Sequence, residues 1–200
     1  MQKDIRQKQS TLLFFDTETT GVPKDYKAPS SAINNWPRLV QLSWIKTDNN
    51  GTVLSQGDYI IKPDGFVIPE SAAAVHNITT AIALEKGQPL TEVLEKFKSE
   101  IASADLIIGH NISFDMKVVG AELIRTGGKD ILEKKRYFCT MKSTINFCAI
   151  RGPYGYKYPK LEELYTKLFR HKFDDAHNSN ADVMATKECY FELKKRNIIR

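Results

Sequence analysis

The stretch LLFFDTETTG, residues 12–21, decides how this chain is read. Four apolar residues run directly into two carboxylates, Asp16 and Glu18, with one residue between them. In a β-strand residues two apart share a face, so a strand continuing through these positions turns both acids to one side of a sheet edge. Two anions on one patch repel each other. An isolated Asp-x-Glu is more often a turn cap or a lysine partner than a functional pair, because acidic residues are common in ordinary chains. What the rest of the sequence brings beside the pair therefore decides its meaning.

Two hundred residues are enough for one domain with a proper core. Hydrophobic content of 42% and charged content of 26% are those of an ordinary globular protein. No stretch approaches the roughly 18 apolar residues of a membrane span, and the opening MQKDIRQKQS lacks the apolar core of a signal peptide. The expectation is a cytoplasmic chain with a polar leader over residues 1–9, a domain over 10–195, a tail over 196–200 and no membrane partner. Cys139, Cys148 and Cys189 are odd in number and never spaced C-x-x-C, which argues against a disulfide framework or a zinc site and predicts buried free thiols. The net charge of +5 is unevenly placed: residues 125–172 hold 12 Lys or Arg against 4 Asp or Glu, +8, leaving −3 elsewhere. Such a concentration suits a polyanionic partner, and suits a solvated face as well.

Outward from the first strand, VPKDYKAPSSAINNWP (22–37) is a loop full of breakers, its role open. RLVQLSWIKT (38–47) reads as a strand with Val40, Leu42 and Trp44 on one face, turned by Asn49-Asn50-Gly51 into a second strand within TVLSQGDYIIKP (52–63), a hairpin beside the first. Val93, Leu94, Phe97 and Ile101 recur at helical spacing, with Thr91 as cap. DLIIGHN (105–111) is a short buried strand, and ISFDMKVVGAELIRTGG (112–128) a helix closed by glycines. YFCT (137–140) reads as one more strand, RGPYGYKYPK (151–160) as a loop and LEELYTKLF (161–169) as a short helix. The last helix starts near Asn178, with Ala181, Ala185 and Cys189 as an apolar row. The order predicts an α/β domain with a mixed sheet carrying an antiparallel hairpin, its chemistry gathered where strands end, at Asp16 and Asn111. Trp36 and Trp44 are assigned to packing.

Two further segments extend the acidic pattern. GHNISFD (109–115) places Asp115 early in a helix after a buried strand, and AHNSNADV (176–183) places His177 and Asp182 at the opening of the last helix. Four uncompensated carboxylates in one partly buried pocket are destabilising, whereas two divalent cations balance them. Hard oxygen donors select Mg2+ or Mn2+, and ions about 3.5–4 Å apart clamp the attacking and leaving oxygens of phosphoryl transfer. His177 is a group able to take a proton from water near neutral pH. Five residues of continuous helix would set it about 140° from Asp182, so His177 is expected to precede the helix proper. The spacing H-x4-D also occurs at His110 and Asp115, so one occurrence is incidental to the general-base role.

FFDTETTG, HNISFD and HNSNADV resemble the three motifs of the DEDDh (DnaQ-like) 3′-to-5′ exonucleases, a family that includes the proofreading subunit of bacterial replicative DNA polymerase. The resemblance covers about residues 10–195 and implies a ribonuclease H-like fold, a mixed sheet flanked by helices in a single exonuclease domain. It implies Asp16, Glu18, Asp115 and Asp182 as metal ligands for two Mg2+ or Mn2+ ions and His177 as the base. Thr17, Thr19, Asn111, Phe114 and, through the similar stretch IPESAAAVHNIT (68–79), His76 would contact substrate. The substrate implied is single-stranded or 3′-end DNA, with release of nucleoside 5′-monophosphates. RNA trimming, a polymerase partner, a homodimer and a catalytically silent nucleic-acid-binding module stay open. Two departures stand out: Asn180 replaces an apolar residue common in relatives, and the loop over 22–37 is longer than in minimal members. The loop 151–160 interleaves Arg151, Lys157 and Lys160 with Tyr154, Tyr156 and Tyr158, a composition suited to gripping a single strand or to a plain surface loop.

Overall fold

The computed structural model describes residues 10–173 and 178–199. The apolar run that leads to Asp16 forms β1 (Thr11–Thr19), at the middle of a five-stranded sheet. β1 pairs antiparallel with β2 (Leu39–Asp48), which pairs antiparallel with β3 (Val53–Ile60), the predicted hairpin. After α1 (Glu70–His76), α2 (Thr80–Lys86) and α3 (Leu90–Ser103), the chain returns as β4 (Leu106–Gly109), parallel to β1 on its other side. α4 (Ser113–Arg125) leads to β5 (Tyr137–Cys139), parallel to β4, so the sheet order is β3-β2-β1-β4-β5. The short helices α5 (Thr140–Ser143) and α6 (Ile145–Cys148), a ribbon of β6 (Arg151–Gly152) and β7 (Gly155–Tyr156), α7 (Leu161–Phe169) and α8 (Ser179–Lys195) complete the order.

Both faces of β1 are covered, as its unbroken hydrophobicity requires. Leu13 and Phe15 pack with Phe97 of α3 and Val119 of α4, while Leu12 and Phe14 pack with Val183 and Tyr190 of α8. Two glycines show why that residue is needed where they stand. Gly57 lies opposite Trp44, and a Cβ there would come 2.4 Å from the indole. Gly127 takes φ +82°, so that its N–H reaches Ile124 and that of Gly128 reaches Leu123, closing α4 as its glycines predict.

Three local expectations are corrected. Val40 does not share a face with Leu42 and Trp44: the β1–β2 register slips between Glu18 and Thr19, leaving Val40 as the extra residue of a bulge, and it packs with Ile68 and Ile78 under α1 and α2. α3 starts at Leu90 after Pro89 rather than being capped by Thr91; proline suits an entry where no N–H has a helical partner. RGPYGYKYPK is not a plain loop, since Arg151 and Gly152 pair with Tyr156 and Gly155 around a turn that Gly155 enters at φ +123°. The three cysteines are free and buried, and Trp36 and Trp44 are buried, as expected. Among the described residues, no helix is long and apolar enough to cross a membrane.

Candidate active site

Parallel pairing sets the carboxyl ends of β1 and β4 side by side, with the start of β2 at the same edge. Asp16 and Glu18 follow Phe14 in strand alternation and so turn to the face that α8 covers. There they meet Asp182 in the first turn of α8, and one carboxylate oxygen from each of the three lies within 4.8 Å of the others. Two hydrogen bonds hold the start of α8. Asn178 caps it by accepting from the Asn180 N–H at 3.0 Å, and the buried Ser179 hydroxyl lies 2.5 Å from that of Ser43. Ser43 commits its single proton to Asp58 at 2.8 Å, so Ser179 is the donor between the two serines. Asn180 is exposed, so its departure from the family pattern leaves the packing of α8 intact.

Asp115 comes from the opposite layer. Buried at the start of α4, it accepts from the Thr17 N–H at 3.1 Å and the Thr17 hydroxyl at 2.7 Å. Thr17, expected on the substrate, is buried and orients this carboxylate. The four acids act on each other through space. Burial, then Asp115, Asp182 and Glu18, drives Asp16 well above the usual carboxylate range. Burial, then Asp182 and Asp115, raises Glu18 to about 8. Burial also lifts Asp115 to about 7, with Asp182 adding to it and the Thr17 bonds opposing. Such a cluster holds protons or a cation; oxygen donors this close together fit a hard divalent ion.

The other candidates surround this cluster. The Thr19 hydroxyl donates to the Gly21 carbonyl at 2.6 Å, shaping the turn that ends β1. His76 is buried, and its Nδ1 accepts from the Ile78 N–H at 3.1 Å. Burial lowers its basicity, against the opposing carbonyls of Thr19 and of His76 itself, which places the ring beside the end of β1. Asn111 adopts φ +65° where β4 turns into α4, and Phe114 lies 6.3 Å from Trp36 and 6.5 Å from Tyr26, ring centre to ring centre. His177 falls outside the described residues.

His110 resolves the second H-x4-D. Its Nε2 donates to the Pro159 carbonyl at 2.9 Å, its Nδ1 lies 3.0 Å from the Thr140 hydroxyl, and burial holds it down to about 4. It is a neutral strut joining the end of β4 to α5 and to the segment beyond β7.

Residues 13–190 match the model of the RNase_T exonuclease family. The chain is 26% identical over 204 residues to a PolC-type DNA polymerase III of Lactococcus lactis, covering 98% of this chain and 11% of the polymerase. It is 27% identical over 192 residues to that of Listeria monocytogenes, covering 96% and 12%. Escherichia coli exonuclease I, solved in complex with a dT13 oligonucleotide, superposes with a TM-score of 0.75 at 24% identity, over 94% of this chain and 42% of that one. The chain therefore spans about a tenth of the polymerases and about two fifths of exonuclease I. With the sheet, the three converging carboxylates and a match over nearly its whole length, the chain belongs to the RNase_T exonuclease family.

Proposed function

We propose that this chain is a divalent-metal-dependent 3′-to-5′ exonuclease that hydrolyses the terminal phosphodiester of single-stranded DNA and releases nucleoside 5′-monophosphates. The observation that carries this reading is the meeting of Asp16, Glu18 and Asp182 within 4.8 Å at the carboxyl edge of the sheet. Two Mg2+ or Mn2+ ions, when bound, supply Lewis acidity and neutralise charge at a phosphoryl centre. Asp16, Glu18 and Asp182 would hold them, with Asp115 completing the set from α4. Thr17 fixes Asp115 from both its N–H and its hydroxyl, so the fourth charge does not swing away when the ions leave. His177, which precedes α8 in the chain, is the proposed base: in its neutral form it takes the proton of the attacking water. His76 and Phe114 flank the terminal nucleotide. The likeness to exonuclease I crystallised with dT13 supports single-stranded DNA as substrate, and the likeness to DNA polymerase III supports a setting in replication, proofreading or repair.

The test is mononucleotide release from 3′-labelled single-stranded DNA with magnesium, manganese or EDTA, for wild type, Asp16→Ala and His177→Ala. Release should require metal, vanish in Asp16→Ala and fall about 10²- to 10⁴-fold in His177→Ala. Release that survives EDTA or Asp16→Ala overturns the reading. A matched RNA degraded much faster moves the substrate to RNA, and binding without release makes the chain a binding module.

A further inference from the structure

A carboxylate outside the cluster lies in register with it. Asp16 stands opposite Ser43 across β1 and β2, Ser43 stands opposite Asp58 across β2 and β3, and Glu18 stands opposite Gln41. Residues directly opposite in an antiparallel pair share a face, so Ser43, Asp58 and Gln41 are on the face where Asp16 and Glu18 meet Asp182. Asp58 is exposed on the edge strand, whereas Gln41 and Ser43 are buried. Its Oδ1 accepts from both of them, from Gln41 Nε2 at 2.7 Å and from the Ser43 hydroxyl at 2.8 Å. One carboxylate thus holds the β2 neighbours of both acids of β1.

The chain of bonds continues beyond β2. With its proton given to Asp58, Ser43 has only lone pairs left for Ser179, whose hydroxyl lies 2.5 Å away. Ser179 is the first residue of α8, and Asp182, three residues on, is its neighbour along the helix surface. The Asp182 N–H closes this turn on the Asn178 carbonyl at 3.0 Å. A hydroxyl proton rotates to suit its surroundings, and an ionised carboxylate, which can only accept, commits it; such a bond is roughly twice as strong as one between neutral groups. Without Asp58 the two serines are free to exchange donor and acceptor roles. The cross-strand neighbour of Ser43 on its other side is Asp16, whose lone pairs a metal would need.

We propose that Asp58 is a positioning residue for the carboxylate cluster: it fixes the direction of the Ser43–Ser179 bond, and that bond seats the first turn of α8 so that Asp182 faces Asp16 and Glu18. Asp58 acts through the two serines and not as a metal ligand. The seating of α8 holds with or without a metal; its consequence for metal binding rests on the exonuclease reading.

The experiment compares wild type, Asp58→Ala, Asp58→Asn, Ser43→Ala and the double variant Asp58→Ala/Ser43→Ala. Amide hydrogen exchange in EDTA reports on the first turn of α8, with its last two turns as the internal reference. Calorimetry gives manganese affinity, and the same wild-type preparation is assayed for mononucleotide release in magnesium. Asp58→Ala should speed exchange in the first turn about tenfold and leave the last turns unchanged. It should weaken manganese about three- to tenfold, less than the roughly 10- to 100-fold cost of removing a direct partner of a ligand. Asp58→Asn removes the charge and keeps an acceptor oxygen, so both quantities should return to within about twofold of wild type. Because Asp58 acts through Ser43, first-turn exchange in the double variant should be no faster than in Ser43→Ala alone. If Ser43→Ala does not fold, the Ala and Asn variants at the exposed position 58 decide by themselves. Equal losses in Asp58→Ala and Asp58→Asn, which mark a pure charge effect, additive effects in the double variant, or manganese affinity unchanged in Asp58→Ala overturns the proposal. Faster first-turn exchange in Asp58→Ala alone, with no manganese binding or release by wild type, leaves the seating of α8 standing and removes the exonuclease reading; metal-dependent release with first-turn exchange unchanged does the reverse.

Discussion

Glu18→Gln should make the metal-free protein more stable at alkaline pH, and the surroundings of the carboxyl set the size of the gain. Burial, then Asp182 and Asp115, moves Glu18 from 4.5 to about 8. A carboxyl whose folded value lies above its unfolded one binds more protons when folded, so its contribution is present at low pH and is lost as pH rises from 4.5 through about 8. At about 1.4 kcal/mol per pH unit, full ionisation sets roughly 5 kcal/mol against the folded state. Neighbouring carboxylates share the repulsion, so a proton retained by one relieves another, and the amide should recover about 2–5 kcal/mol. For a chain of this size that is about 5–20 °C in Tm. Thermal unfolding in EDTA should show wild type and Glu18→Gln close together near pH 4.5 and the variant clearly ahead near pH 8.5. Magnesium should close the gap by raising wild type more, since the variant has lost a ligand. A Glu18→Gln protein less stable than wild type in EDTA near pH 8.5 would refute the reasoning, for it would mean the carboxylate is favourably paired without metal.

Three other outcomes follow from single contacts. His110 is held down to about 4, chiefly by burial, against 6.5 when unfolded, so stability should be lost as pH falls from 6.5 towards 4, by roughly 3 kcal/mol in all. His110→Gln should flatten the urea midpoint over that window, and an unchanged slope would remove His110 as the cause. Glu122 is buried; its Oε1 accepts from Arg38 at 2.9 Å and the Leu39 N–H at 3.0 Å, and forms an ion pair with Arg125 at 3.0 Å. Glu122→Ala strands two arginines and should cost about 3–5 kcal/mol in urea denaturation; a loss under about 1 kcal/mol would show them resolvated. Ser179→Ala removes the donor to Ser43 and should cost about 1–2 kcal/mol. Because Ser179 seats the turn that carries Asp182, manganese affinity measured by calorimetry should also fall several-fold, and unchanged affinity would separate the two.

The division between sequence and structure follows the range of the forces involved. Asp16 and Glu18 were legible because strand alternation and an apolar run are local, and Asp115 and Asp182 because each sits at a fixed distance past a strand or helix signal in the same few residues. The hairpin and the extent of the helix over 161–169 were legible for the same reason. The loop 22–37 was not, because its conformation is dictated by Lys117 and Arg125, some ninety residues away. Val40 was misread because a one-residue slip in register reverses which face a side chain takes, and nothing local marks the slip. Sequence by itself determined which carboxylates this protein brings to one sheet edge. Only the tertiary structure decided that three share a face while Thr17 braces the fourth from across the sheet. Those arrangements rest on hydrogen bonds between residues as far as 136 positions apart, whose partners no local pattern can name.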